Sequence, residues 1–257
     1  KYYEDAIFEN ETLLNFKPDI IYIHTTHHNV TEYPSLAATD EDIETIFDNQ
    51  ILKFKSIWNS LNKYNCPIIQ NNFDLPLNRS LGNLDCYDSH GRSYLLNRLN
   101  LNFAREAQKN KSLYINDINH LSALIGLQNW HDKNIWFTAK YAISFDAIPT
   151  LANNISGIIL SILGKSKKCL VLDLDNTCWG GVIGDDGLNG IKLGNETAAG
   201  EAYMVFQSYA KELKQRGVIL AVSSKNDHDI AKEAFTHSDS VLVFEDFISF
   251  KANWDPK

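Results

Sequence analysis

The chain is poor in the residues that staple or anchor proteins. Its four cysteines, Cys66, Cys86, Cys169 and Cys178, show no CxxC spacing. That argues against a zinc site or a disulfide scaffold and favours a reducing, cytoplasmic setting. An uninterrupted apolar run of roughly 18 residues is missing, so no membrane partner is expected. The opening carries no signal-peptide pattern, although Lys1 is not an initiator methionine and both ends read as cut. Excess basic charge is missing too. The net charge of −8 argues against nucleic acid or an anionic membrane surface as a partner. It leaves room for a phosphorylated small molecule held by a few local lysines and one metal ion. What remains is an ordinary globular composition, 44% hydrophobic and 22% charged over 257 residues, enough for two domains.

Strand and helix patterns alternate along the first part. A helix is expected over Tyr2–Asn15, stopped by Lys17-Pro18, and a central strand over Asp19–His24. The polar cluster His24-Thr-Thr-His27-His28-Asn29 follows at that strand's end, a position where α/β sheets bind ligands. HxxHH lacks ordinary zinc spacing and a nearby third ligand, so a polar loop with backbone-bonded histidines is the favoured reading. Thr39 and Asp42 form a capping box ahead of a long amphipathic helix carrying Ile43, Ile46, Phe54, Ile57, Trp58 and Leu61. Further strands are expected at Pro67–Asn71 and Ser112–Ile115, with a helix over Ser89–Asn110 between them. Asn116-Asp117 can cap another, short helix through Ile125. Asn129–Ala142 shows no period, and Ser144–Leu163 is helical. The order implies a parallel sheet, and the boundary is placed at residue 164.

The stretch Lys168-Cys-Leu-Val-Leu-Asp173-Leu-Asp175-Asn-Thr177 organises the second domain. Cys169–Leu172 reads as a short, fully buried parallel strand. Asp173 and Asp175, two positions apart, then meet beyond its carboxyl end. A carboxylate there can attack phosphorus, a hard cation can separate the anions, and a second acid can move a proton. Taken alone, two acids capping a turn explain the pattern nearly as well. Trp179–Gly194 holds six of the chain's thirteen glycines, including Gly180 and Gly181, which reads as a small hairpin flap. Thr197 caps a helix to Arg216, Val218–Val222 is a strand ending at Ser223-Ser224-Lys225-Asn226, and Asp227 caps the next helix. A further strand is expected at Ser240–Phe244. Ser224 at a strand end can accept a phosphoryl oxygen, and Lys257 can bring a compact charge.

These residues resemble the haloacid dehalogenase (HAD) superfamily over Lys167–Lys257, through the DxDxT match at Asp173–Thr177 and the strand ending in Ser224. Leu172–Gly187, Ser224–Asn226 and Trp254–Lys257 are similar, more narrowly, to the FkbH-like group, whose N-terminal domain is SGNH-hydrolase-like and matches from about Lys17 onward. The resemblance implies a fold of two Rossmann-like three-layer α/β/α domains with mainly parallel sheets, both truncated at the chain ends. These are an SGNH/flavodoxin-like domain over 1–164 and a capless HAD domain over 165–257. It implies Asp173 as nucleophile and Asp175 as general acid/base, both serving Mg²⁺, Asp175 through its carbonyl. Phosphate-binding roles fall to Thr177, Ser224, Lys225, Asn226 and Lys257, with Trp179, Gly180 and Gly181 flanking the substrate. The resemblance implies action on a phosphorylated glycerate with a glyceryl unit passed to an acyl carrier protein, as in some members, or a phosphatase-like activity, as in others. The acidic pair that completes the family's Mg²⁺ site lies beyond Lys257. No DxxH is present near Trp130-His131-Asp132, so ester hydrolysis by the first domain is unsupported.

Cys178 carries two readings, a thiolate that accepts a glyceryl group before a carrier does or a small residue packed under the flap, the second favoured. Only about 50 residues separate Asp173 from Ser224, which leaves no room for a cap beyond the flap and one helix. An open crevice is expected. The alternative from another class is a non-catalytic phosphate- or partner-binding module with a degenerate HAD domain.

Overall fold

The structure is a computed structural model and describes residues 2–8 and 11–255. The chain forms two compact units, Lys1–Lys165 and Ser166–Lys257. The first opens with two short helices, α1 (Tyr2–Ile7) and α2 (Glu11–Phe16), where one was expected. It continues with β1 (Ile21–Ile23), α3 (Asp40–Leu61), β2 (Ile68–Asn71), α4 (Arg92–Lys109) and β3 (Leu113–Asn116). Four helices complete it, α5 (Ile118–Ile125), α6 (Leu127–Trp130), α7 (Lys133–Ala139) and α8 (Ile148–Ile162). The sheet runs β1-β2-β3, all parallel. The central strand is β2, buried along its whole length, and not β1 as expected from the sequence. The long amphipathic stripe of α3 packs on the sheet through Phe54, whose ring meets Phe103 of α4 at 4.9 Å and Phe73 at 5.7 Å. Edge contacts of this kind add to the area they bury.

The caps read from sequence are in place. Thr39 Oγ1 accepts from the Asp42 amide at 3.2 Å, and Asp42 Oδ2 accepts from the Thr39 amide at 2.9 Å. Thr39→Ala is expected to cost about 1 kcal/mol, read as a lowered midpoint in chemical denaturation with unchanged slope. Asp117 likewise caps α5 by accepting from the His120 amide. The stretch 129–142, which lacks a period, holds α7, capped by Asp132, and the fully buried Trp130. Phe145–Ile162, although interrupted by polar residues, has a mean hydropathy of 1.2 and is long and apolar enough to cross a bilayer by composition. In this unit Leu151 packs into a cluster with Ile118, Leu121 and Trp130, and Asn154 donates to Asn116 at the end of β3.

The second unit contains β4 (Cys169–Leu172), α9 (Ile183–Asp186), α10 (Ala198–Gln215), β5 (Ile219–Ser224), α11 (His228–Glu233) and β6 (Phe247–Ala252). Its sheet is again parallel, ordered β4-β5-β6. Leu172, Leu220, Val222 and Ala252 join one buried cluster with Trp179 and Phe235. The opposite sheet face is open, with Val171 58% and Ile219 44% exposed. The fully buried strand expected at Cys169–Leu172 is therefore half-buried. A short apolar run reads the same whether one face or two are covered.

The strand expected at Ser240–Phe244 is also displaced. The amides of Val241 and Leu242 donate to Gln207 Oε1, at 2.9 and 3.0 Å. They are spent on a side chain and cannot enter a ladder. The pairing strand is β6, further on.

Candidate functional site

Asp173 follows β4 directly, and Asp175 sits one turn further. The turn is closed by Thr177 and Cys178, whose amides both donate to Leu174 O, and Asn176 takes the left-handed φ of +55°. Asparagine tolerates that conformation better than most residues. Its side chain accepts from the Gly181 amide at 3.0 Å, where φ is +98°. A substituted residue at Gly181 would be strained.

The two acids are held differently. Asp173 is exposed, and its Oδ1 accepts from its neighbour Leu174's amide at 2.8 Å and from Ser224 Oγ at 2.7 Å. Asp175 is half-buried. Its Oδ1 accepts from Trp179 Nε1 at 3.0 Å and the Ile183 amide at 3.1 Å, and its Oδ2 from Asn226 Nδ2 at 2.8 Å. Asn226 Nδ2 also reaches Ser224 Oγ at 3.2 Å. The ends of β4 and β5 thus converge, as the sequence places them. Ser224 and Asn226 orient the acids; Lys225 is exposed and Thr177 half-buried in the turn. Lys257 lies outside the described residues.

Trp179 and Gly180 are buried. The glycine-rich segment is tied at its base by two backbone bonds between Gly180 and Lys192, of 3.0 and 2.7 Å, and the short helix α9 lies within it. Cys178 is fully buried. Its Sγ donates to Asp173 O at 3.3 Å, and burial, with the Asp173 charge second, pushes the thiol up to about 12. A thiol held neutral at physiological pH is a poor nucleophile, and the full burial of Cys178 fits a packed residue. Cys86 and Cys169 are exposed, whereas Cys66 and Cys178 are buried. In the native protein a small thiol reagent is expected to label the first pair quickly and the second only after denaturation, as read by peptide mass mapping.

The first unit holds a cluster that the sequence left unassembled. His27 lies past β1, Asp74 past β2, and His131 at the end of α6. Asp74 Oδ1 accepts from the His27 amide at 2.7 Å and faces His27 Nδ1 at 3.1 Å. Asp74 Oδ2 accepts from Trp130 Nε1 at 2.8 Å and lies 3.6 Å from His131 Nε2. Among the described residues these three could hold a metal ion. The backbone-bonded polar loop is therefore corrected: His27 engages a buried carboxylate, and a third partner exists. The available signal was that two polar segments, His24–Asn29 and Asn71–Asp74, both end parallel strands.

The FkbH N-terminal domain matches residues 4–160. The chain belongs to the FkbH family. Both units have a counterpart in a crystal structure of the N-terminal part of the protein BF1531 from Bacteroides fragilis, described as containing a phosphatase domain complexed with Mg. The identity is 32% and the TM-score 0.85, covering 94% of this FkbH-family chain and 64% of the BF1531 chain. The chain thus spans less than two thirds of that relative. Among curated proteins none matches.

Proposed function

We propose that the second unit is a Mg²⁺-dependent phosphatase or phosphotransferase that works through an aspartyl phosphate. The carrying observation is the convergence of Asp173 and Asp175 at the end of β4 with Ser224 and Asn226 from the end of β5. Membership of the FkbH family and the Mg-bound phosphatase domain of BF1531 support the reading.

The donor chemistry fits the ion. Mg²⁺ prefers hard oxygens, one or two carboxylates completed by water and phosphate, and Asp173 offers an exposed carboxylate. Both carboxylate oxygens of Asp175 accept N–H groups, and the family resemblance assigns its contribution to the main-chain carbonyl. When bound, the ion neutralises charge on the phosphoryl oxygens.

Asp173 attacks phosphorus in line, and the bond from phosphorus to the leaving oxygen breaks. Asp175 gives that oxygen its proton. Water then attacks the acyl phosphate while Asp175 takes a proton back, releasing phosphate and restoring both acids. Trp179 and Asn226 keep the Asp175 carboxylate in one orientation, which lowers the cost of reaching the reactive geometry.

The finer reading is a phosphorylated glycerate as substrate, with the glyceryl unit passed to an acyl carrier protein. Its support is the family resemblance and the exposure of Asp173, which suits an open crevice. The test is phosphate release from a panel of phosphorylated small acids, with Mg²⁺ and with EDTA. Release that needs Mg²⁺, and a hydroxylamine-sensitive phosphoenzyme, are expected. No release from any panel member by the full-length protein in Mg²⁺ would remove the enzyme reading.

A further inference from the structure

The His27–Asp74 pair opens onto a cavity of ≈ 340 Å³ whose walls include His27, His28, Tyr33, Arg92, Lys133 and Trp136. It lies past the carboxyl ends of β1 and β2, where parallel sheets present ligand sites. Asp74 is wholly buried. A carboxylate in that position costs several kcal/mol unless it is paired or multiply hydrogen-bonded. The His27 amide and Trp130 Nε1 already tie it to two neighbouring segments. The imidazole of His27 is additional, and it sits on the cavity wall.

The hydrogen-bond partners decide what this cluster can be. A carboxylate and a main-chain carbonyl only accept. His27 Nδ1 faces Asp74 Oδ1 at 3.1 Å, and His131 Nε2 faces Leu75 O at 3.0 Å. Each of those ring nitrogens therefore carries a hydrogen. As bonded here, the cluster offers a metal ion neither of those two lone pairs. It is an aspartate that orients a histidine, leaving Nε2 as the only ring nitrogen of His27 able to serve a ligand.

The rest of the wall is suited to an anion beside a flat apolar group. Arg92 lies over the Tyr33 ring, 5.2 Å from its centroid, which holds the guanidinium at the rim. Lys133 adds a second cation. Asp132, also on the wall, is turned to the start of α7, accepting from the Asn134 and Ile135 amides. His28 stacks on Trp136 at 3.6 Å with an 8° tilt, giving a planar surface.

We propose that this cavity of the first unit is a ligand site which binds a small molecule bearing a carboxylate or phosphate next to a planar or apolar group, with His27 Nε2 as its hydrogen-bonding contact. Asp74 is the positioning residue.

Long-range ¹H–¹⁵N spectra of the imidazoles, recorded in EDTA and assigned with H27Q and H131Q, test it. His27 is expected to show a hydrogen on Nδ1. Phenyl phosphate or phenylacetate is expected to shift its resonances saturably, and the arm that does so names the anion. Benzyl alcohol is expected to leave them in place, and Arg92→Ala to weaken the effective anion at least tenfold. No shift with either anion overturns the proposal, as does an equal shift with benzyl alcohol. One equivalent of Zn²⁺ stripping the hydrogens from both His27 Nδ1 and His131 Nε2 would make the cluster a metal centre instead.

Discussion

Asp173→Asn is expected to remove turnover, by on the order of 10⁴-fold or more, as loss of the nucleophile does in enzymes that work through a covalent intermediate. An amide cannot form the acyl phosphate. The same change should hardly touch the fold. Asparagine has the shape of aspartate, and its carbonyl oxygen can still accept from Ser224 Oγ and the Leu174 amide, as Asp173 Oδ1 does. The site is exposed, and substitutions at such positions stay within about 0.5 kcal/mol. The measurement is phosphate release in Mg²⁺ alongside urea denaturation of the same preparation. Wild-type turnover in the variant would dismiss the covalent mechanism. Loss of turnover with a shifted urea midpoint would mean that Asp173 had been holding structure.

The placement of the acid pair at a strand end was legible because its information is local, whereas its chemistry rested on the family resemblance. Two carboxylates two positions apart, a left-handed Asn176 and a run of glycines all lie within a short stretch, and short-range turn chemistry fixes them. The parallel order of strands was legible as well, since alternating strand and helix patterns allow few topologies. The histidine cluster was not. His27, Asp74 and His131 come together only when β1, β2 and α6 are folded, and no spacing rule spans such separations. The half-open sheet was hidden for a different reason: burial of Cys169–Leu172 is decided by what packs on each face, and the apolar run says nothing of that. Proton position was hidden too. Which nitrogen of His27 carries hydrogen follows from facing a carboxylate oxygen, a tertiary fact.

Gln207 explains the displaced strand and yields the largest expected effect on stability. It is fully buried in α10. Its Nε2 donates to Cys178 O at 2.8 Å, and its Oε1 accepts from the Val241 and Leu242 amides and from Ser240 Oγ at 3.2 Å. One side chain thus pins the turn after the acid pair to the segment that leads into β6. Gln207→Leu keeps the volume and removes every bond, leaving a buried carbonyl and two amides without these partners. Each orphaned group costs about 1–3 kcal/mol. Because such losses are not additive, a total of roughly 3 kcal/mol or more is expected, read as a lower urea midpoint at constant slope. Gln207→Glu separates the two halves of the bridge. It retains an acceptor for the amides but turns a carboxylate toward Cys178 O, so it should be at least as damaging near neutral pH and recover as the carboxyl protonates on acidification. If both variants unfold at the wild-type midpoint, the bridge does not hold this unit together, and the position of β6 must be set by the packing of Phe247 and Phe250 against Phe235.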